Sequence, residues 1–462
     1  MHEGFLPGAS FSRIAAVKKF RRIAMRRYTW NRRQEYMSVR VSELINRPIR
    51  CSCGKTHFCG IHCIIVEAGA LKRLPSLVSE YHHILVAADN NTWPLCGGRV
   101  SVLLGARLEK QLVFQREGML VPNEDAVREL EDALTPHTDL IIGIGSGVIN
   151  DLCKYVSFRH GLDYAVIATA PSMDGYASSG AAMIMRGMKV TYTTRPPRMI
   201  IADTDILCAA PMDMIRSGYG DIIGKYSSLN DWQLSRLING EYLCPEICRL
   251  VMDTTDEIRG SAPRLVRREP EAVAQLTNAL ILIGITLSLV GTTRPGSGSE
   301  HHLSHYFEIT GLIRGEPHFL HGTDVGYSTV VTARMRQRIT ALSVPEFRPL
   351  TEAQREAAWD RIYGSYAGEV RSLQRHSGFY ETDWQQRYRM HWDDICTLLQ
   401  SCPSPEQTER MLTDVGFEKD AFVLLYGERK IRDGMFFGKD LKERFSVLWP
   451  YYELFSGELN DA

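Results

Sequence analysis

From about residue 61 to residue 208, short apolar runs alternate with segments of helical spacing. HILVAADNNTW (83–93) predicts a buried strand ending in a polar turn, and VSVLLG (100–105) is another short apolar run of the strand type. EDAVRELEDAL (124–134) has the spacing of an acidic amphipathic helix. DLIIGIGSGVINDLCKYVSFRHG (139–161) reads as a strand, a Gly-rich turn and a helix. YAVIATAPS (164–172) and RMIIADTDIL (198–207) each read as a strand followed by a turn. Such alternation implies a parallel sheet covered by helices. From about residue 209 onward, long helical segments dominate, with no internal repeat and no low-complexity run. The expected architecture is an α/β half followed by a helical half, with a cleft between them. Ligands favour such clefts and the carboxyl ends of parallel strands.

One segment, AVAQLTNALILIGITLSLVGTT (272–293), carries no charge. It is long enough for a ~30 Å hydrocarbon core. Gln275, Thr277, Asn278, Thr286 and Ser288 interrupt it, and it stands alone. A buried central helix is the better reading, so no membrane span is expected.

The 462 residues suit two or three domains at roughly 100–200 residues each. Lys+Arg and Asp+Glu both total 54, a balance that argues against a general nucleic-acid binder. The balance is uneven along the chain. Residues 1–50 hold twelve basic and three acidic residues, leaving 42 basic and 51 acidic in the rest. Residues 1–36 form a basic leader without a long apolar stretch, so a secretory signal is not expected. A disordered arm, or a folded chain starting at Met37, is preferred over an organelle transit peptide. Eleven cysteines, widely scattered and odd in number, argue against a disulfide framework and for a reducing, cytoplasmic setting. Cys51, Cys53, Cys59 and Cys63 cluster with His57 and His62 in CSCGKTHFCGIHC. Two readings stand: a small structural zinc site, or a reduced, Cys-rich hairpin or edge strand.

Gly143, Gly145 and Gly147 lie in IIGIGSGVIND, between a strand-like and a helix-like run. Such a turn brings backbone close to a phosphate at a helix N-terminus. Its acidic residue, Asp151, follows Gly147 by four positions, whereas the Rossmann fingerprint places its acid about 20 residues on. Five of the fourteen histidines, His301, His302, His305, His318 and His321, fall within 21 residues. His301 and His305 are four apart, on one helix face. Asp221 precedes an apolar helical stretch, with Lys225 one turn later. Imidazoles and a carboxylate make a divalent-metal site with an open position, able to polarise a carbonyl oxygen.

The ordered motifs GIGSGVIND, TAPSMDGYAS, SGYGDIIGKY, TTRPGSGSEHHLSH and HGTDVG resemble glycerol-1-phosphate dehydrogenases, in particular their bacterial branch. That family shares a superfamily with iron-containing alcohol dehydrogenases and dehydroquinate synthase. The motifs span roughly 139–330. The resemblance implies an α/β N-terminal nucleotide-binding domain (37–208) plus an all-α C-terminal metal-binding domain (209–462), a dehydroquinate synthase-like fold. It implies NAD(P)H-dependent interconversion of dihydroxyacetone phosphate and sn-glycerol 1-phosphate. Gly147, Val148, Ile149, Asn150 and Asp151 match the turn that cradles the cofactor pyrophosphate. Thr169, Ala170, Pro171, Ser172 and Ser178 match the second cofactor loop. Asp89 matches the acid at the adenosine ribose. Asp174 matches a substrate-contacting carboxylate, and Asp221, His301 and His321 match the metal ligands, with Asp221 also at the substrate. His305 matches a substrate contact and is assigned a proton-relay role. His302 and His318 match no ligand position. The implied cofactors are NAD(H), with NADP(H) as the alternative, and one divalent metal, nickel or zinc. A carboxylate at Asp89 repels the extra phosphate of NADP and favours NADH.

Lys225 and Arg294 are nominated for the substrate phosphate, and a locally positive cleft is expected in the acidic body. Homodimers are the family expectation. Competing readings are another polyol dehydrogenase such as glycerol dehydrogenase, a dehydroquinate synthase-like cyclase, and a non-catalytic metal- or nucleotide-binding regulator.

Overall fold

The computed structural model describes residues 41–185 and 188–460; the basic leader lies outside them. A small antiparallel hairpin comes first, β1 (Ile49–Arg50) with β2 (Thr56–His57). Six strands then form one parallel sheet: β3 (Cys63–Glu67), β4 (Ile84–Asp89), β5 (Leu108–Phe114), β6 (Leu140–Gly145), β7 (Asp163–Ala168) and, after a second hairpin, β10 (Met199–Asp203). That second hairpin pairs β8 (Gly180–Met185) with β9 (Met188–Thr193). The sheet order is β3-β10-β7-β6-β4-β5. The winding reverses between β4 and β6, which creates a crevice at the carboxyl ends of those strands. Thus the sheet is wound like a Rossmann domain, although the Gly turn lacks the fingerprint spacing.

Alternate strand residues feed two cores. Ile84, Val86, Ile142, Ile144 and Ile167 join one face, covered by α1 (Trp93–Leu104). Leu85, Ala87, Ile141 and Val166 join the other, under α2 (Glu124–Asp132) and α3 (Gly147–His160). Central strands buried on both faces read as continuous apolar runs. VSVLLG, grouped with the strands by its apolar run, instead closes α1. The edge strand that follows it, LEKQLVF, is half exposed and polar.

After β10 the described chain is helical: α4 (Met212–Ile223), α5 (Lys225–Asn239), α6 (Pro245–Arg259), α7 (Pro270–Val290), α8 (Ser299–Arg314) and α9 (His321–Thr340), then further helices to Phe455. The uncharged stretch forms most of α7, whose most apolar window is 72% buried inside the protein. It is a core helix here. Its neighbours meet it through small residues: a Cβ on Gly284 would lie 2.6 Å from the Asp174 carbonyl oxygen.

Candidate active site

Three elements converge where the helical half meets the crevice. Asp221 sits near the end of α4, fully buried. His321 is the first residue of α9. A side chain on Gly220 would strike the Gly322 carbonyl, and one on Gly322 would strike Ser217, so glycine lets α4 and α9 touch backbone to backbone. His301 lies in the first turn of α8. Asp231 of α5 pins that turn, accepting the Ser299 N–H at 2.6 Å while held by Arg336 at 2.9 Å.

The ligand atoms of Asp221, His301 and His321 lie within 4.8 Å of one another. His301 Nε2 is 3.7 Å from Asp221 Oδ1, and the His301 and His321 rings are 5.1 Å apart. Burial is the main cause holding His301, His305 and His321 well below the ordinary histidine value. Neutral imidazoles are the ligating form. One carboxylate and two neutral imidazoles therefore suit a divalent cation.

Glu300, absent from the sequence-derived set, completes this corner. Its Oε1 accepts from His301 Nδ1 and from the Gly298 N–H, each at 2.7 Å. That bond places the His301 proton on Nδ1 and frees Nε2 for a metal. The hint in the sequence was an acid directly before the histidine.

The other predicted residues divide. Asp174 joins the site: its N–H donates to Asp221 Oδ2 at 2.9 Å, and burial followed by the Asp221 charge raises its carboxyl. The His305 ring is 5.7 Å from His321 and 6.3 Å from His301. His302 is fully buried, with neither ring nitrogen hydrogen-bonded, and His318 bonds the Phe319 carbonyl.

Lys225 does not offer a free charge to a phosphate. Its Nζ is 2.5 Å from Asp221 Oδ1 and 2.7 Å from Asp174 Oδ2, with Gly296 O at 3.0 Å. Burial alone would lower it, but the two carboxylates raise it above the ordinary lysine value. Arg294 is likewise taken up by Glu241 and the Phe445 carbonyl. Both nominations are corrected: each cation is buried among acceptors before any ligand arrives. Lys442 and Arg444, more than 110 positions beyond Asp221, His301 and His321 along the chain, also reach this region. Their charges, with that of Lys189, bear on His301. Lys189 is paired with Glu308, and Arg444 bonds Ser297 O at 2.7 Å and Thr293 Oγ1 at 2.6 Å. Burial, then the neighbouring Arg444 and Lys189, push Lys442 well below its ordinary value.

On the crevice side, α3 begins at Gly147, two residues past the end of β6, so its free N–H groups face the carboxyl end of the sheet. Ser146, Gly147 and Val148 are half exposed, whereas Ile149 and Asn150 are buried. Asn150 Nδ2 donates to the Gly175 carbonyl at 3.3 Å, and Asp151 Oδ2 accepts the Ala182 N–H at 3.2 Å. Within the predicted 147–151 stretch, the first two residues are thus presented, Ile149 packs into the core, and Asn150 and Asp151 brace neighbouring loops. Thr169, Ala170, Pro171, Ser172 and Ser178 are all buried. Ser178 Oγ bonds the Gly175 carbonyl, and buried Lys154 donates to the Gly175 and Gly180 carbonyls at 2.8 and 3.0 Å. Asp89 stands at the end of β4, beside the winding reversal, where its Oδ1 accepts from Asn91 N and Thr92 N.

A family model described as iron-containing alcohol dehydrogenase matches residues 65–211. The NAD(P)+ glycerol-1-phosphate dehydrogenase of Halalkalibacterium halodurans is 30% identical over 406 residues, covering 86% of this chain and 94% of the relative. That of Geobacillus thermodenitrificans is 30% identical over 390 residues, covering 82% and 89%. Among solved structures, the sulfoacetaldehyde reductase of Bifidobacterium kashiwanohense in complex with NAD+ matches at TM-score 0.54 and 13% identity, covering 86% of this chain and 97% of that one. The archaeal Red Sea brine pool alcohol dehydrogenase matches at TM-score 0.53 and 14% identity, covering 88% and 99%. These two likenesses concern the fold.

Proposed function

This chain belongs to the glycerol-1-phosphate dehydrogenase family, and from that premise we propose that it reversibly reduces dihydroxyacetone phosphate to sn-glycerol 1-phosphate with NAD(P)H and a divalent metal. The observation that carries the reading is the convergence of Asp221, His301 and His321 within 4.8 Å, beside Asp174. When bound, nickel or zinc polarises a carbonyl oxygen and the nicotinamide supplies hydride. The protein's own residues do the rest. Asp221, His301 and His321 hold the cation, and Glu300 fixes the His301 tautomer. Lys225 bridges Asp174 and Asp221 and offsets their like charges, and Asp174 contacts the substrate hydroxyls. His305 sits where it can pass a proton to the developing alkoxide. Lys442 and Arg444 attract the substrate phosphate.

The N-terminus of α3 at Gly147 and Val148 receives the cofactor pyrophosphate, with the backbone of 169–172 alongside. Asp89 bonds the adenosine ribose and favours NADH over NADPH. The enzyme works as a homodimer in the cytoplasm, in keeping with its free cysteines.

The test is to strip the metal, add back nickel, zinc or magnesium, and follow NADH oxidation. Nickel or zinc should restore turnover of dihydroxyacetone phosphate well above that of dihydroxyacetone. Preference for the unphosphorylated ketone would move the assignment to a glycerol dehydrogenase. Inactivity with every metal would overturn the proposal.

A further inference from the structure

A second group of metal-ligating side chains lies away from the cleft just described. Hairpin β1–β2 carries Cys51, Cys53 and His57. The residue before α6, Cys244, reaches the same point from 193 positions along the chain. All four donor atoms lie within 4.8 Å of one another. Cys51 Sγ is 3.5 Å from Cys244 Sγ, Cys53 Sγ is 3.4 Å from His57 Nε2, and Cys244 Sγ is 3.7 Å from His57 Nε2. A tetrahedron with zinc–sulfur bonds of about 2.3 Å and a zinc–nitrogen bond of about 2.0–2.1 Å has edges of about 3.5–3.8 Å. Three measured separations fall at or near that range.

The surroundings fit the same chemistry. His57 is buried, and its Nδ1 is 2.7 Å from the Leu289 carbonyl. A carbonyl only accepts, so the proton sits on Nδ1 and the Nε2 lone pair faces the sulfurs. The Tyr242 hydroxyl is 3.1 Å from Cys53 Sγ, a donor for a thiolate. The Lys55 ammonium lies 3.5 Å from the centre of the Tyr242 ring, a positive charge beside what three thiolates and one dication would leave net negative. Gly54, at φ 86°, makes the tight turn between Cys53 and Lys55, and its N–H bonds the Cys51 carbonyl at 3.1 Å. Cys59, Cys63 and His62, grouped with these residues by sequence, take no part: Cys59 is packed in the core, and Cys63 begins the outermost sheet strand.

We propose that Cys51, Cys53, His57 and Cys244 form a closed tetrahedral zinc site that fastens the N-terminal hairpin to the helical half of the protein. Four protein ligands leave no position for substrate, so the site is structural. It joins β1–β2, the start of α6 and, through His57 and Leu289, the last turn of α7. The proposal is independent of the reaction assigned to the Asp221 centre.

Cobalt(II) substitution of the full-length protein tests it. Thiolate ligands give cobalt an intense sulfur-to-metal charge-transfer absorption, and the Asp221–His301–His321 centre contains no sulfur. The band should appear in the wild type, persist in Asp221→Asn, and weaken in Cys53→Ser, where two thiolates remain. Zinc content should fall by one equivalent in Cys51→Ser/Cys53→Ser. Absence of the band in folded, cobalt-loaded wild type would overturn the proposal, with no variant needed. So would a Cys51–Cys244 disulfide in the peptide map of protein purified without oxidant.

Discussion

Glu300 is fully buried and, among the described residues, forms no ion pair with a lysine or arginine, yet it orients His301. Its carboxylate accepts the hydrogen bond from Nδ1–H, so the imidazole turns only Nε2 toward Asp221. Glu300→Ala removes that acceptor and leaves the Gly298 N–H without its partner as well. Loss of such an outer partner weakens metal affinity by about 10–100-fold. A buried donor left unsatisfied costs about 1–3 kcal/mol of stability. Glu300→Gln keeps an acceptor and should recover most of both. Chelator competition read beside thermal unfolding separates the two effects. A lowered melting temperature with unchanged metal affinity in Glu300→Ala would assign the residue to folding alone. The sequence displayed the acid in SEHH, but an acid in the first turn of a helix is ordinary because it complements the helix dipole. Only the 2.7 Å contact distinguishes this role.

Two glycines of one turn have different tasks at the element scale. A Cβ on Gly145 would come 2.6 Å from the Ile149 side chain, so this glycine sets how closely α3 packs on β6. A Cβ on Gly147 would meet only Met173, at 3.9 Å, on the side open to the crevice. Gly145→Ala should therefore destabilise the fold by about 1–3 kcal/mol through overpacking. Gly147→Ala should leave the melting temperature unchanged or slightly raised, since alanine favours a helix. It should nonetheless weaken NADH binding, because the methyl occupies the approach to the helix N-terminus. Thermal unfolding and NADH fluorescence titration of both variants decide the point. Equal losses of stability would refute the division.

The same scale explains what the sequence carried. Strands β4, β6, β7 and β10 are buried on both faces and announce themselves as apolar runs. The edge strand β5 is half in water, so LEKQLVF carries no such run, while the apolar VSVLLG beside it ends a helix that buries Val100 and Leu104 and leaves Val102 exposed. An apolar run of five or six residues does not separate strand from helix by periodicity. Likewise the histidine cluster stood out by its density, and the family resemblance picked Asp221, His301 and His321, but Cys244, Lys442 and Arg444 reach their clusters only by tertiary folding. Arg294 looked free in sequence because its acceptor, Glu241, is 53 positions away, whereas Lys225 has one acceptor a helical turn away, Asp221, and a second, Asp174, 51 positions away.

At the scale of the whole molecule, one loop joins the two halves. Its start is tied to the glycine turn: Thr169 N–H bonds the Gly145 carbonyl at 3.2 Å. Its middle and end are tied to the helical half. Ser217 Oγ donates to the Ser172 carbonyl at 3.0 Å, Asp174 N–H to Asp221 at 2.9 Å, and Ser288 Oγ to the Ala177 carbonyl at 2.8 Å. The path from the turn at Gly147 to Asp221, the proposed metal ligand, is therefore a short run of backbone held on both sides. Gly284 of α7 makes the contact tight, since a Cβ there would also lie 3.0 Å from the Ala177 Cβ. Gly284→Ala must displace the loop, and the displacement reaches Asp174 and the nucleotide side together. A misplacement near 1 Å costs on the order of 100-fold in turnover. The variant should lose about that much kcat/KM and bind both NADH and the metal more weakly. Gly291→Ala, at the end of the same helix with φ 74° and open space around it, should lower the melting temperature while leaving both affinities unchanged. If Gly284→Ala behaved like Gly291→Ala, the loop would not couple the two halves, and the nucleotide and metal sites would be independent neighbours.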